Sequence, residues 1–382
     1  MIINSTIKNI LAQQCSYMSE SDKNKYKEEL LIEQIANALG FDWLAERLSV
    51  DIPPSYLLIA TALIVQIGIL DSYNYFIVDK NSFVNDPSRL IVLAGMIIAV
   101  VGVRWMRDKY AKAMIDLKIS QRDSVTDSDL EGRFEYIVPD RVKILISAIA
   151  VIILYINLFF NRGFNTMVEI NGFVRGVVVN LFIFPFIQIP LIVEFGLIYF
   201  SVHFILPRYI AKADFDLFFY DPRNMGGFSS IGDLLKQSYY LYTACLLIYF
   251  LFVNWPTILT SFTDFTPPVP EPGVAEAIFF SAFWLLGVIS IAYSMYRVHN
   301  VMARKKEEAI QEIEEEIQEI LDDPFDINAN HIKNKEKREE FQHRIAEIRE
   351  TKEYPSTFTM WSQIAISVIL PQVLQLTVQV IP

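Results

Sequence analysis

Cysteine is nearly absent from this sequence, and positive charge is scarce. The 382 residues include only Cys15 and Cys245, and the formal net charge is −11. Cys15 lies in a polar segment and Cys245 in an apolar run, so no disulfide and no cysteine-based metal cluster are expected. No basic groove with interleaved aromatic residues is evident, so we expect no nucleic-acid partner.

Recognisable catalytic motifs are also missing. The sequence has no Gly-rich phosphate loop, no Gly-x-Ser-x-Gly elbow and no His-Glu-x-x-His helix. No internal repeat is evident between the two halves, which weakens the case for an inverted-repeat transporter. The first fifty residues are polar and have no early apolar core, so no cleavable signal peptide is expected.

Long apolar runs dominate what remains. Hydrophobic residues make up 53% of the chain, and the mean hydropathy is +0.31. Five runs have the length of a membrane-spanning helix, and a sixth, at 90–103, is shorter. The five are 53–70, 143–160, 176–206, 238–253 and 274–296. This pattern predicts an all-α, polytopic membrane helical bundle of six spans, or seven if the C-terminal segment also crosses.

The distribution of Lys and Arg predicts the orientation. Of the 33 such residues, 29 fall in the N-terminal segment, after the second and fourth runs, or after the sixth. Cytoplasmic loops carry an excess of Lys and Arg. We therefore expect a multi-pass protein of the cell membrane with a cytoplasmic N terminus, and with residues 1–52, 107–141, 207–237 and 297–354 in the cytoplasm.

Four segments are expected. Residues 1–52 form a cytoplasmic or interfacial amphipathic arm, 53–296 the six-helix membrane domain, 297–354 a charged cytoplasmic hairpin, and 355–382 an apolar membrane-associated helix. No Gly or Pro occurs between Val288 and Asp323, so the sixth helix should continue as a long rod.

The rod carries isoleucines at the three–four spacing of a coiled-coil seam: Ile310, Ile313, Ile317 and Ile320. A second helix, with Phe341, Ile345 and Ile348, can fold back on it as a hairpin. The seam predicts a partner, which is the chain's own second helix, another copy in a homo-oligomer, or a cytoplasmic protein bound at 297–354.

Glu194 and His203 lie inside the otherwise uncharged run 176–206, which Pro185 and Pro190 interrupt. An ionisable group at membrane depth costs at least ~2.5–3.5 kcal/mol and often marks an ion or substrate path. Gln188 and Asn180, in the same segment, add polar atoms. We therefore predict a pathway past these four side chains, with the lipid bilayer around the bundle.

A polar loop follows the fourth run. Asp214, Asp216, Asp221 and Asn224 offer hard oxygen ligands, and Gly226 with Gly227 supplies a turn free of side chains. Such a loop can hold a divalent cation or clamp an anion. Its spacing does not match an EF-hand loop, and a tight capped turn is the alternative.

These features favour an oligomeric channel or transport protein for an ion or small solute, with the Pro-broken fourth helix in the path. A membrane-embedded signalling or scaffold protein that acts through the hairpin is one alternative. A metal-dependent lipid-modifying enzyme that uses the loop Asp214 to Asp233 is another.

Overall fold

The described part of this computed structural model is entirely helices and their connections. It comprises residue 26, residues 28–48, 52–78, 88–117, 128–213, 215–262, 274–321 and 335–354, and the four single positions 362, 365, 369 and 373. No strand occurs within these residues. The all-α prediction is therefore confirmed for them. The expected C-terminal helix at 355–382 lies almost wholly outside the described residues.

Eleven helices are described, which we number α1 to α11. The first five are α1 (Leu31–Ala38), α2 (Phe41–Leu48), α3 (Pro54–Val78), α4 (Ser88–Asp116) and α5 (Ser128–Glu135). The others are α6 (Asp140–Phe160), α7 (Phe164–Asn171), α8 (Phe173–Lys212), α9 (Ser229–Phe262), α10 (Val274–Ile320) and α11 (Lys335–Glu350).

Six of these helices, α3, α4, α6, α8, α9 and α10, are long and apolar enough to cross a membrane. Their number and order match the six runs predicted from the sequence, including the short second run. The chain is thus compatible with a multi-pass membrane protein. A chain with six crossings has both ends of the bundle domain on the same side.

Two helices continue well beyond their apolar runs, as their sequences predict. α4 ends at Asp116 although its apolar run stops at Val103, and α10 extends over 47 residues, or roughly 70 Å. Neither extension contains the Gly or Pro that usually ends a helix. These extensions lie at one end of the bundle, together with α1, α2, α5 and α11, and we call this end the arm end.

α8 shows how the bundle accommodates proline. The sequence predicts a broken helix at Pro185 and Pro190, yet α8 runs without interruption from Phe173 to Lys212. It does so through wider π-helical turns at Val178–Gln188, around Pro185. A second π-helical stretch lies at Ser201–Ile205. A π turn rearranges backbone hydrogen bonds locally and so tolerates the N–H that proline lacks. The ladder is distorted rather than broken.

The packing places α4 and α8 at the centre. α4 packs against α3, α8 and α9, and α8 packs also against α6 and α10. The core is continuous towards the arm end, where Phe134, Phe215 and Phe228 are fully buried between the connections. α6 is peripheral, and its outward face is lined by exposed isoleucines, as expected for a helix that faces lipid.

The N-terminal arm, for which residues 26, 28–48 and 52 are described, folds back onto the bundle. α1 packs against α3, α6 and α8, whereas α2 contacts α3 and leaves Trp43 and Leu48 exposed. Exposed aromatic and aliphatic side chains next to the start of a membrane span are typical of a helix at the membrane surface. The arm therefore contacts the membrane domain through both helices, and α1 reaches three of the membrane-type helices.

Candidate functional site

Glu194 of α8 caps the N-terminus of α1. Its two carboxylate oxygens accept hydrogen bonds from the backbone N–H groups of Leu31, at 2.6 Å, and Ile32, at 3.1 Å. The first N–H groups of a helix have no partner within the helix, and Leu30, at the N-cap position, supplies no side-chain oxygen. A carboxylate 163 positions away therefore takes the place of a local cap.

Lys143 of α6 balances this carboxylate. Its ammonium group lies 3.6 Å from Glu194 Oε1, pairs with Glu28 of the arm, and lies 2.9 Å from Asp140 Oδ1. The Lys143 side chain is 1% exposed and that of Glu194 is fully buried. Buried charges require such partners because their desolvation costs several kcal/mol per ion. One lysine thus connects α6, α8 and the arm.

Two further contacts hold the arm. Glu28 Oε2 accepts a hydrogen bond from the N–H of Ile137, ahead of α6. Glu33 of α1 forms salt bridges with Arg104 and Arg107 of α4, the second at 2.8 Å. Both arginines of α4 therefore pair with the same carboxylate of the arm. We call this whole group the arm-end cluster: Glu28, Glu33, Arg104, Arg107, Asp140, Lys143 and Glu194.

Further into the bundle, polar side chains continue along the contact between α3 and α8. Gln188 Nε2 of α8 lies 3.5 Å from Gln66 Oε1 of α3, and both side chains are buried. Ser147 lies one turn beyond Lys143 on α6, and its hydroxyl is buried without a hydrogen-bond partner in the described residues. Since α6 and α8 are antiparallel, Ser147 lies between the levels of Glu194 and Gln188.

A second charged group lies at the end opposite the arm. Asp71 of α3 is buried, and its Oδ1 lies 3.0 Å from Arg89 Nη1 of α4 and 2.6 Å from Arg175 Nε of α8. Nearby, Asn74 Nδ2 donates to the carbonyl of Asn171. We call the row of buried polar groups from Asp71 through Gln66 and Gln188 to the arm-end cluster the α3–α8 seam.

Of the four predicted pathway residues, the structure brings Gln188 and Glu194 into the seam and leaves the other two apart from it. Asn180 Nδ2 donates to the carbonyl of Gly176 on its own helix. His203 faces α10 instead, where its Nδ1 lies 3.1 Å from Ser294 Oγ. The separation of Glu194 from His203 follows from their different faces on α8.

The polar loop after α8 is organised around Asp221. Asp221 Oδ1 accepts from the N–H of Arg223, and its Oδ2 accepts from those of Met225 and Gly227. Gly226 and Gly227 have φ values of +60° and +83°, and Asn224 has a φ of +53°. Both carboxylate oxygens therefore serve the turn itself, and the geometry favours the capped-turn alternative over a divalent-cation site.

The other loop residues are dispersed. Asp216 is exposed and lies 3.4 Å from Lys305 of α10, and the carbonyl of Asn224 accepts from the N–H of Lys352 beyond α11. Asp214 lies outside the described residues. Within the described ranges, no group of three or more His, Cys, Asp or Glu is arranged to hold a metal ion. The loop thus joins the hairpin to the bundle.

Three residues of these charged groups, Asp71, Lys143 and Glu28, could not be predicted from the sequence as parts of a site. Asp71 and Lys143 lie at the ends of apolar runs, and Glu28 lies in the arm. At such positions a charged residue is usually exposed at the surface. One signal was present: Asp71 directly follows the first run and Arg175 directly precedes the fourth. Alternating spans put those two ends on the same side of the membrane, where opposite charges can meet.

The comparisons with known proteins give no further guide to this site. No protein-family model matches the sequence, and no curated protein or solved structure matches it.

Proposed function

We propose that this protein passes an ion or a small polar solute across a membrane along the α3–α8 seam. The observation that carries the proposal is the succession of buried polar groups at three levels: Asp71 with its arginines, Gln66 with Gln188, and Glu194 with Lys143. Ionisable and polar groups at membrane depth are expensive, and they commonly mark a path for ions or substrates.

The length of the seam supports this proposal. At about 1.5 Å per residue, Arg175 and Glu194 lie roughly 28 Å apart along α8, somewhat less where the helix has π turns. The hydrocarbon core of a membrane is about 30 Å thick. If these polar groups only anchored a helix at the membrane surfaces, they would be needed only at its two ends. Gln66 and Gln188 of the seam add polar atoms in between, and Ser147 of the adjacent α6 lies at an intermediate level.

The arm covers one end of the seam. Glu194 is engaged by the N–H groups of Leu31 and Ile32, so a solute can reach this carboxylate only if α1 moves or yields a hydrogen bond. We propose that the arm end faces the cytoplasm, because 27 of the 33 Lys and Arg residues lie in segments assigned to that side. A homo-oligomer remains a prediction.

Flux through purified protein in liposomes tests the proposal. The parent is assayed with K⁺, Na⁺, H⁺ and Cl⁻. The double variant Gln66→Leu, Gln188→Leu makes the middle of the seam apolar and should abolish most of the flux. The matched control is Asn254→Leu on α9, because Asn254 also carries a membrane-depth amide but donates to Phe250 of its own helix. A parent that conducts no ion or solute refutes the proposal, as does equal flux in both variants.

A second candidate function is a membrane-embedded scaffold or signalling protein that binds a cytoplasmic partner at 297–354. One observation favours it: the segment after α11 is joined to the α8–α9 loop, through Lys352 and Asn224, and to α10, through Lys306 and the Thr351 carbonyl. A partner bound there would act on two membrane helices. Capture of a partner by the intact protein, together with absence of flux, would favour this function over passage.

A further inference from the structure

α8 and α10 lie side by side in a constant register. Tyr199 hydrogen-bonds Ser290, and His203 lies 3.1 Å from Ser294; each pair is separated by 91 positions. The step of four residues on both helices is about one helical turn, so the two contacts are stacked along a parallel helix pair. All four side chains are buried. This polar group lies apart from the α3–α8 seam.

The hydrogen bonds of Ser294 favour one tautomer of His203. Ser294 Oγ donates its hydrogen to the carbonyl of Ile291, at 3.0 Å, so towards the imidazole it acts as an acceptor. In this arrangement Nδ1 of His203 carries the ring hydrogen and donates it to Ser294 Oγ. In a neutral imidazole the other nitrogen is an acceptor, so Nε2 presents a lone pair.

That lone pair has no hydrogen-bond partner in the described residues, although His203 is fully buried. An unsatisfied buried acceptor costs about 1–3 kcal/mol, and such groups are usually bound by protein or by ordered water. His203 also lies in the π-helical turn Ser201–Ile205. Turns of this kind are frequent at functional sites because they reorient side chains that an α-helix would direct elsewhere.

A second unsatisfied atom lies at the same level on α9. Tyr199 stacks on Tyr242, with ring centroids 4.4 Å apart, and α9 is antiparallel to α8. One turn nearer the arm end on both helices, the same register brings Ser238 of α9 to the level of His203 of α8. Ser238 is fully buried, and its Oγ also lacks a hydrogen-bond partner in the described part of the chain.

We infer that His203 and Ser238 form a binding site for one water molecule between α8, α9 and α10. The two atoms can both hydrogen-bond one water molecule. The water donates one hydrogen to the Nε2 lone pair. Its oxygen accepts the hydrogen of the Ser238 hydroxyl, or its second hydrogen is donated to that hydroxyl. Direct contact between the two residues does not supply this bond, since neither atom has a partner within hydrogen-bond distance. A bridging water satisfies groups separated by more than about 3.5 Å.

The site would make His203 an acceptor for a small hydrogen-bond donor inside the bundle, at the junction of α8 with the rod α10. It does not depend on passage along the α3–α8 seam, because it uses the opposite side of α8. Its existence can therefore be tested in protein that conducts nothing.

Nitrogen-15 NMR of the full chain, labelled at histidine in lipid nanodiscs, provides the test. The sequence contains four histidines, and the His203→Gln variant identifies the signal of His203. We expect Nδ1 to be protonated, Nε2 to resonate as a hydrogen-bonded acceptor, and magnetisation to pass from water to Nε2. Ser238→Ala should move Nε2 towards the position of an unbound nitrogen and weaken the transfer from water.

The matched control is Thr243→Ala, also on α9, because the Thr243 hydroxyl is already bound to the carbonyl of Tyr239. It should leave the Nε2 signal of His203 unchanged. An Nε2 that carries the ring hydrogen overturns the inference, as does an Nε2 with no hydrogen bond. A hydrogen-bonded Nε2 that receives nothing from water also overturns it, because a direct contact would then replace the bound water.

Discussion

Glu194 and Leu31 are joined by a 2.6 Å hydrogen bond, although one lies in the membrane-type helix α8 and the other begins the first helix of the N-terminal arm. The carboxylate that the sequence places, at a cost in free energy, inside an apolar run is thus also the cap of α1. This carboxylate belongs to the membrane bundle and binds the arm, so a change in its charge or its binding partners alters the contacts of both.

Replacement of Glu194 by Gln should loosen the arm. The amide keeps the shape but loses the charge, and a hydrogen bond to a charged group contributes about 1.5–3 kcal/mol. Amide hydrogen exchange at Leu31 and Ile32 should therefore accelerate by roughly ten- to a hundredfold. Glu46→Gln, on the exposed side of α2, should leave that exchange unchanged. Equal exchange in the parent and Glu194→Gln would show that the cap does not hold α1.

The pairing of Lys143 with Glu194 predicts a coupled response. Lys143→Met leaves the Glu194 and Glu28 carboxylates buried without their cation, so it should cost about 3–5 kcal/mol. Adding Glu194→Gln removes one of the stranded charges and should recover part of the loss, with a coupling of about 0.5–3 kcal/mol. Thermal unfolding in detergent measures the four-member cycle.

Lys236→Met serves as the control for that cycle. Lys236 lies 3.5 Å from Asp233 in a pair that is partly solvent-exposed, and such pairs contribute about 0–1 kcal/mol. Its unfolding temperature should stay close to that of the parent. Strict additivity of Lys143→Met and Glu194→Gln would contradict a direct interaction between the two residues.

The Asp221 loop should be insensitive to divalent cations. Asp221→Asn replaces one acceptor oxygen by a donor and leaves a backbone N–H of the turn unpaired, at a cost of about 1–3 kcal/mol. The lowered unfolding temperature should be the same in excess EDTA and in millimolar Ca²⁺ or Mg²⁺. Parent protein that Ca²⁺ stabilises, through an effect lost in Asp221→Asn, would restore the metal-site hypothesis.

The membrane helices could be predicted from the sequence and the seam could not, for a physical reason. The length and composition of an apolar run are local properties of the sequence, so the six helices α3, α4, α6, α8, α9 and α10 could be predicted from them. The partners of Glu194 are backbone N–H groups 162 and 163 positions away, and no local pattern encodes them. Likewise, the predicted break at Pro185 was wrong because π-helical turns absorb the missing N–H, a rearrangement that depends on neighbouring helices.

The isoleucine seam of α10 should be satisfied within one chain. Ile313 is buried, and α11 packs against this part of α10, where Arg344 binds Glu316 through two hydrogen bonds. Ile313→Asp puts a charge into that contact and should free α11 for proteolysis without changing the particle mass in detergent. Glu314→Gln, an exposed neighbour, is the control. A fall in mass would assign the seam to a homo-oligomer.

The orientation of the bundle can be tested at two positions that lie on opposite sides in the proposed topology. After replacement of Cys15 and Cys245 by Ala, single cysteines are introduced at Thr263, which follows α9, and at Ser128, the first residue of α5. The Lys and Arg asymmetry places α5 in the cytoplasm. A membrane-impermeant maleimide added to intact cells should therefore modify the cysteine at 263 and spare that at 128. After cell lysis both should react, which controls for accessibility. Labelling at 128 in intact cells, with 263 protected, would invert the topology and place the arm, and with it the closure of the seam at Glu194, on the outer side.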